Sequence, residues 1–129
     1  MFDLASIGPV PDDLGQRTVY EKVRVPLVRL FEAHEAANRP LTGLRFVDCV
    51  IDGPAVVVMS AQTQLINCNL GDVAGDARNL FLRAHGPRII GGVPLNDAVF
   101  DGCLFRRVGI VGDEAYIQLM IDKLTPPEA

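Results

Sequence analysis

A chain of 129 residues, 49% apolar and carrying a formal charge of −4 from 16 acidic and 12 basic residues, is sized for one domain that buries roughly two thirds of its unfolded surface. The acidic balance argues against nonspecific attraction to nucleic acid or anionic membrane, and no apolar run reaches the about 18 residues of a membrane span. Three cysteines without a CxxC pair fit neither a disulfide framework nor a zinc site, so free thiols, no metal, no cofactor and a reduced, cytoplasmic setting are expected.

Residues 1–17 carry Gly8, Pro9, Pro11 and Gly15 and read as an N-terminal arm without the basic-then-apolar order of a signal peptide. Residues 18–40 read as a strand followed by a helix. TVYEKVRV, at 18–25, sets Val19, Val23 and Val25 on one alternation that Glu21 interrupts. In PLVRLFEAHEAAN, Pro26 suits a first helical turn. Leu27, Leu30, Phe31 and His34 fall on one helical face, and Pro40 stops the pattern. A helix over 26–37 is expected, with His34 packed on its apolar side.

Residues 41–112 carry an internal repeat. FVDCVI at 46–51, LINCNL at 65–70 and FDGCLF at 100–105 place all three cysteines in one column, each preceded by Asp, Asn or Gly. Large apolar residues recur at Phe46, Ile51, Leu65, Leu70, Phe100, Phe105 and Ile110. Slimmer ones stand two positions earlier at Thr63, Cys49, Cys68, Ala98, Cys103 and Val108, with Leu44 the exception.

This pattern resembles the pentapeptide-repeat family, whose loose unit is a small residue, a polar one, Leu or Phe, and two polar ones. The clear matches cover a minor part of the chain. The resemblance implies a right-handed β-solenoid; a less regular right-handed parallel β-helix is the near alternative. The expected fold is therefore mainly all-β: a small right-handed parallel β-helix of about four coils, stacked about 4.8 Å apart, with an N-terminal capping helix and a C-terminal helix or strand. FLRAHG, at 81–86, is expected to supply the coil between the second and third cysteines, aligning Phe81 with Phe46 and Ala84 with Cys49. Cys49, Cys68, Ala84 and Cys103 would then form an interior ladder, for which cysteine is suitably slim and apolar.

Residues 113–125 are expected to close the far end. Asp113 can cap a helix and Glu114 suits its first turn. Tyr116, Met120 and Leu124 share one stripe, with Ile117 and Ile121 beside it. Alternation of Ile117, Leu119 and Ile121 makes a strand the rival, and helix is favoured. The apolar content exceeds what one capping face needs, which points to a subunit contact. TPPEA reads as a tail.

Chemistry is sparse. Arg83, His85 and Arg88 in RAHGPR could form a small anion-binding spot, against the plainer reading of a solvated loop. Arg106 and Arg107 read as outward surface. Asp48, Asp52, Asp72, Asp76 and Asp101 could serve glycosidic acid/base chemistry if paired on one wall, but aspartate beside glycine more simply makes turns. Ser6 and Ser60 lie in no nucleophile motif, and IIGGVP lacks the spacing of a phosphate loop. No catalytic, cofactor-binding or metal-binding residue is assigned. The expected function is a non-catalytic structural or protein-interaction module that self-associates, with Tyr116, Ile117, Met120, Arg83, His85 and Arg88 as contact candidates and the C-terminal segment as a dimer contact. The alternatives are a DNA-mimic topoisomerase inhibitor, implied by the resemblance, and a small β-helix that binds or acts on carbohydrate.

Overall fold

The computed structural model describes residues 10–59, 62–71, 76–83, 86, 89–112 and 114–124. Its recurring unit is a short strand, a two-residue corner whose first residue has positive φ, and a second strand. The first copy is β1 (Val19–Glu21) and β2 (Arg24–Pro26), with Lys22 between them in the left-handed region at φ 52°. That corner resets the alternation, so the strand expected over 18–25 is two strands. Tyr20 and Val25 are fully buried, whereas Val19 is 48% exposed. The inward phase expected for Val19 is thereby corrected.

Pro26 adopts extended backbone and opens α1 (Leu27–Ala36), which buries Leu27, Leu30 and His34. The unit then recurs as β3 (Arg45–Val47) and β4 (Val50–Met59) around Asp48, and β5 (Gln64–Ile66) turns at Asn67. A single 3-10 turn at Ala77–Leu80, capped by Asp76, leads into β6 (Phe81–Arg83). β7 (Val93–Leu95), β8 (Val99–Asp101) and β9 (Leu104–Gly112) follow, with Gly102 as the corner between β8 and β9. α2 (Glu114–Leu124) comes last. The helix favoured over 113–125 is thus present; Asp113 and the tail at 125–129 lie outside the described residues.

All strand pairings among the described residues are parallel. One sheet has the order β1-β3-β8-β5; the other is β2-β4-β9-β6, with β7 also pairing β4. Aromatic rings stack through the first sheet's inner face. Tyr20 and Phe46 have ring centroids 5.4 Å apart, and Phe46 and Phe100 4.9 Å, with the ring planes nearly parallel in both cases. Phe105 of the second sheet meets Phe100 at 5.0 Å with a tilt of 56°. Each such buried ring contributes about 2–3 kcal/mol through apolar surface removed from water. α1 packs on β2, β4 and β7, and α2 on β6, β9 and the 3-10 turn.

These features overturn the expected mainly all-β, right-handed β-helix of successive coils. Two sheets of parallel strands with helices packed against them make an α/β arrangement. Nor do the strands stack in chain order: β8 lies between β3 and β5, and β9 between β4 and β6. FLRAHG is not the missing rung of the cysteine column, because Phe81 pairs opposite Ile110, in the second sheet, and not beside Phe46. The register that placed Ala84 on the ladder goes with it, and Ala84 itself lies outside the described residues. The physical cause is interleaving: the later segment threads between two passes of the earlier one, so repeat spacing along the chain does not name neighbours in space.

Candidate interaction surface

The corners explain the residue before each cysteine. Lys22, Asp48, Asn67 and Gly102 all have φ between 50° and 67°, a region that Asn, Asp and Gly tolerate best. Around the corners the backbone bonds rung to rung: Lys22 N–H to Val47 O at 3.0 Å, Asp48 N–H to Asp101 O at 2.8 Å and Gly102 N–H to Ile66 O at 2.8 Å. The cysteines follow in the spatial order Cys49, Cys103, Cys68. Each thiol donates to the carbonyl of the large residue one rung earlier: Cys49 to Tyr20 O at 3.3 Å, Cys103 to Phe46 O at 3.4 Å, Cys68 to Phe100 O at 3.2 Å. All three are free thiols; Cys49 and Cys103 are buried and Cys68 is half-buried. The ladder therefore does not follow chain order, since the β8–β9 corner carries Cys103 between Cys49 and Cys68.

Position in that column sets the acidity of each thiol. The Cys103 thiol beside Cys68 holds it down to about 7, against the opposing effect of partial burial. The same neighbour lowers Cys49. Cys103, flanked by the Cys49 and Cys68 thiols and itself buried, is pushed far up. Cys68 is therefore the thiol whose proton leaves first.

The two ends of the stack differ. At the β1 end, Tyr20 is fully buried and its hydroxyl accepts from Gly15 N–H at 2.8 Å. Leu14 packs on the core there, Arg39 reaches Gly15 O at 2.5 Å, and α1 covers β2. At the β5 end, three interior columns finish on half-buried side chains: Leu65 after Phe100, Cys68 after Cys103, and Leu70 beyond Phe105. Gln64 and Ile66 point outward, Ile66 at 39% exposure. Among the described residues no strand pairs with the outer edge of β5.

Of the contact candidates read from sequence, Arg83 and α2 come together. Arg83 pairs with Glu114 and donates to Gln118 Oε1 at 3.2 Å. Tyr116 is half-buried, with its hydroxyl donating to Met59 Sδ at 3.6 Å, and Met120 is half-buried against the core. Ile117 is fully buried, so its side chain belongs to the interior and not to a contact face. Leu82 and Leu119 stay about half exposed. His85 and Arg88, the other two members of the anion spot, lie outside the described residues.

The remaining polar candidates are spent locally. Asp48 forms a corner, Asp76 caps its turn and is held near 2 by Arg78, and Asp52 pairs with Arg107, whose guanidinium also donates to Gly53 O. Asp72 lies outside the described residues. His34 is buried with both ring nitrogens unpartnered among the described residues. Among the described residues no group of three His, Cys, Asp or Glu side chains is placed to hold a metal ion, and no helix is long and apolar enough to cross a membrane.

The β5 edge was the feature that sequence reasoning missed. Its signal was available: QTQLINCNLG, at 62–71, contains no charged residue. Comparison with protein-family models, with curated proteins and with solved structures returns no match. The pentapeptide-repeat resemblance accordingly rests on the quoted residues alone.

Proposed function

We propose that this chain is a non-catalytic interaction module that self-associates. One observation carries this reading: among the described residues the interior columns are covered at the β1 end by Leu14 and fully buried Tyr20, whereas at the β5 end they finish on half-buried Leu65, Cys68 and Leu70. An unpaired strand edge is a template for another chain, and β-proteins ordinarily blunt it with charge, proline or a covering element. Here the edge is uncharged, which suits a surface meant for contact.

Sedimentation equilibrium over a wide concentration range tests the reading. The expected result is reversible mass action between one chain and a small, closed oligomer. A single-chain mass at every concentration would remove it.

A further inference from the structure

The geometry points to a symmetric dimer in which β5 pairs antiparallel with β5 of a second copy, centred on Leu65; this rests on the self-association reading above and names its surface. Gln64 N–H donates inward to Ala98 O at 2.9 Å, and Ile66 O accepts from Gly102 N–H at 2.8 Å. In a parallel ladder alternate residues bond to the same neighbour. The main-chain N–H and C=O of Leu65 therefore face the edge that no described strand covers, where an added strand can engage both in line.

Two features select a second copy as that strand. The chain carries a charge of −4, yet residues 62–71 carry none, so two identical β5 edges approach without local repulsion. The dimer axis also sets half-buried Leu65 beside its own equivalent, so two identical apolar side chains cover each other. Symmetry then fixes the direction. A two-fold along the sheet normal keeps both interiors on one side and makes the strands antiparallel. A two-fold along the strand would turn one interior outward. With Leu65 on the axis, the two Leu65 residues exchange both hydrogen bonds, and Gln64 of each chain lies directly opposite Ile66 of the other.

That last pairing supplies the test, because Gln64 and Ile66 are exposed and tolerate charge without disturbing the single-chain fold. Gln64→Lys with Ile66→Lys places like charges opposite each other twice. Gln64→Lys with Ile66→Glu places opposite charges there twice. Folding of both variants is checked by thermal melts, and association by sedimentation equilibrium. The expected outcome is a dimeric wild type, a dissociation constant raised about 100-fold or more in the Lys/Lys variant, and a Lys/Glu variant that dimerises and weakens with added salt. A Lys/Lys variant as dimeric as wild type overturns the β5 contact while leaving self-association standing, and then favours α2. Loss of dimer in both variants overturns the Leu65-centred antiparallel register. A monomeric wild type overturns the functional reading itself.

Discussion

Gly102 sits at φ +67°, and a β-carbon there would lie 2.4 Å from Asp48 Oδ1. The exposed Asp48 carboxylate can swing aside, so backbone strain dominates, and Gly102→Ala is expected to lower the unfolding free energy by about 1–2 kcal/mol, read as a lower urea midpoint at unchanged slope. The same corner column shows how far single residues were legible. Asp48, Asn67 and Gly102 stood out because each precedes a cysteine and each is a residue type that tolerates positive φ. Lys22 fills the equivalent corner and gave no such signal, so the first strand pair went unrecognised as a copy of the repeat. The cysteines yield a second expectation. Alkylation needs the thiolate, and the thiolate fraction grows as pH rises through the pKa. Cys68 should therefore be carbamidomethylated first, with a rate midpoint near pH 7, while Cys49 and Cys103 react only on unfolding. Peptide mass mapping across pH separates the three; equal labelling would contradict the column as described.

Strand phase is the issue at the level of elements. Tyr20 continues the ring stack of Phe46 and Phe100 and anchors Gly15 through its hydroxyl, whereas its neighbour Val19 faces solvent. Tyr20→Ala is expected to cost about 3–5 kcal/mol and Val19→Ala less than about 1. Chemical denaturation of the two variants decides between this phase and the one in which Val19 points inward. Helices were the easier reading. Leu27, Leu30 and His34 on α1, and Ile117 among half-buried Tyr116, Met120 and Ile121 on α2, follow a 3.6-residue period written in local sequence. Strand partnership has no local code. Phe81 resembles Phe46 in its surroundings, yet it meets Ile110, because parallel pairing is decided by segments far apart in the chain. The β5 edge was half legible: its lack of charge is plain in the sequence, but its place at the end of the sheet is set by β8 entering between β3 and β5.

Across the whole molecule, protection should grade from the middle of each sheet to its ends. Among the described residues β3, β4, β8 and β9 have partners on both sides, whereas β5 has one. Amide hydrogen exchange is expected to be slowest in those four strands and faster at Leu65 in dilute solution. On raising the concentration, the Leu65 amide should slow selectively, since it is the donor that points to the open edge. Uniform slowing, or slowing confined to α2, would place association elsewhere.

The interleaved order also has a history written into it. β8 and β9, which join the outer strands of both sheets to the rest, emerge from the ribosome after nearly everything they join. Growth layer upon layer during translation, open to arrays whose repeats stack in sequence, stops here once β3 and β4 have met β1 and β2. β5 and β6 must wait, unpartnered and sticky, until their neighbours have been made.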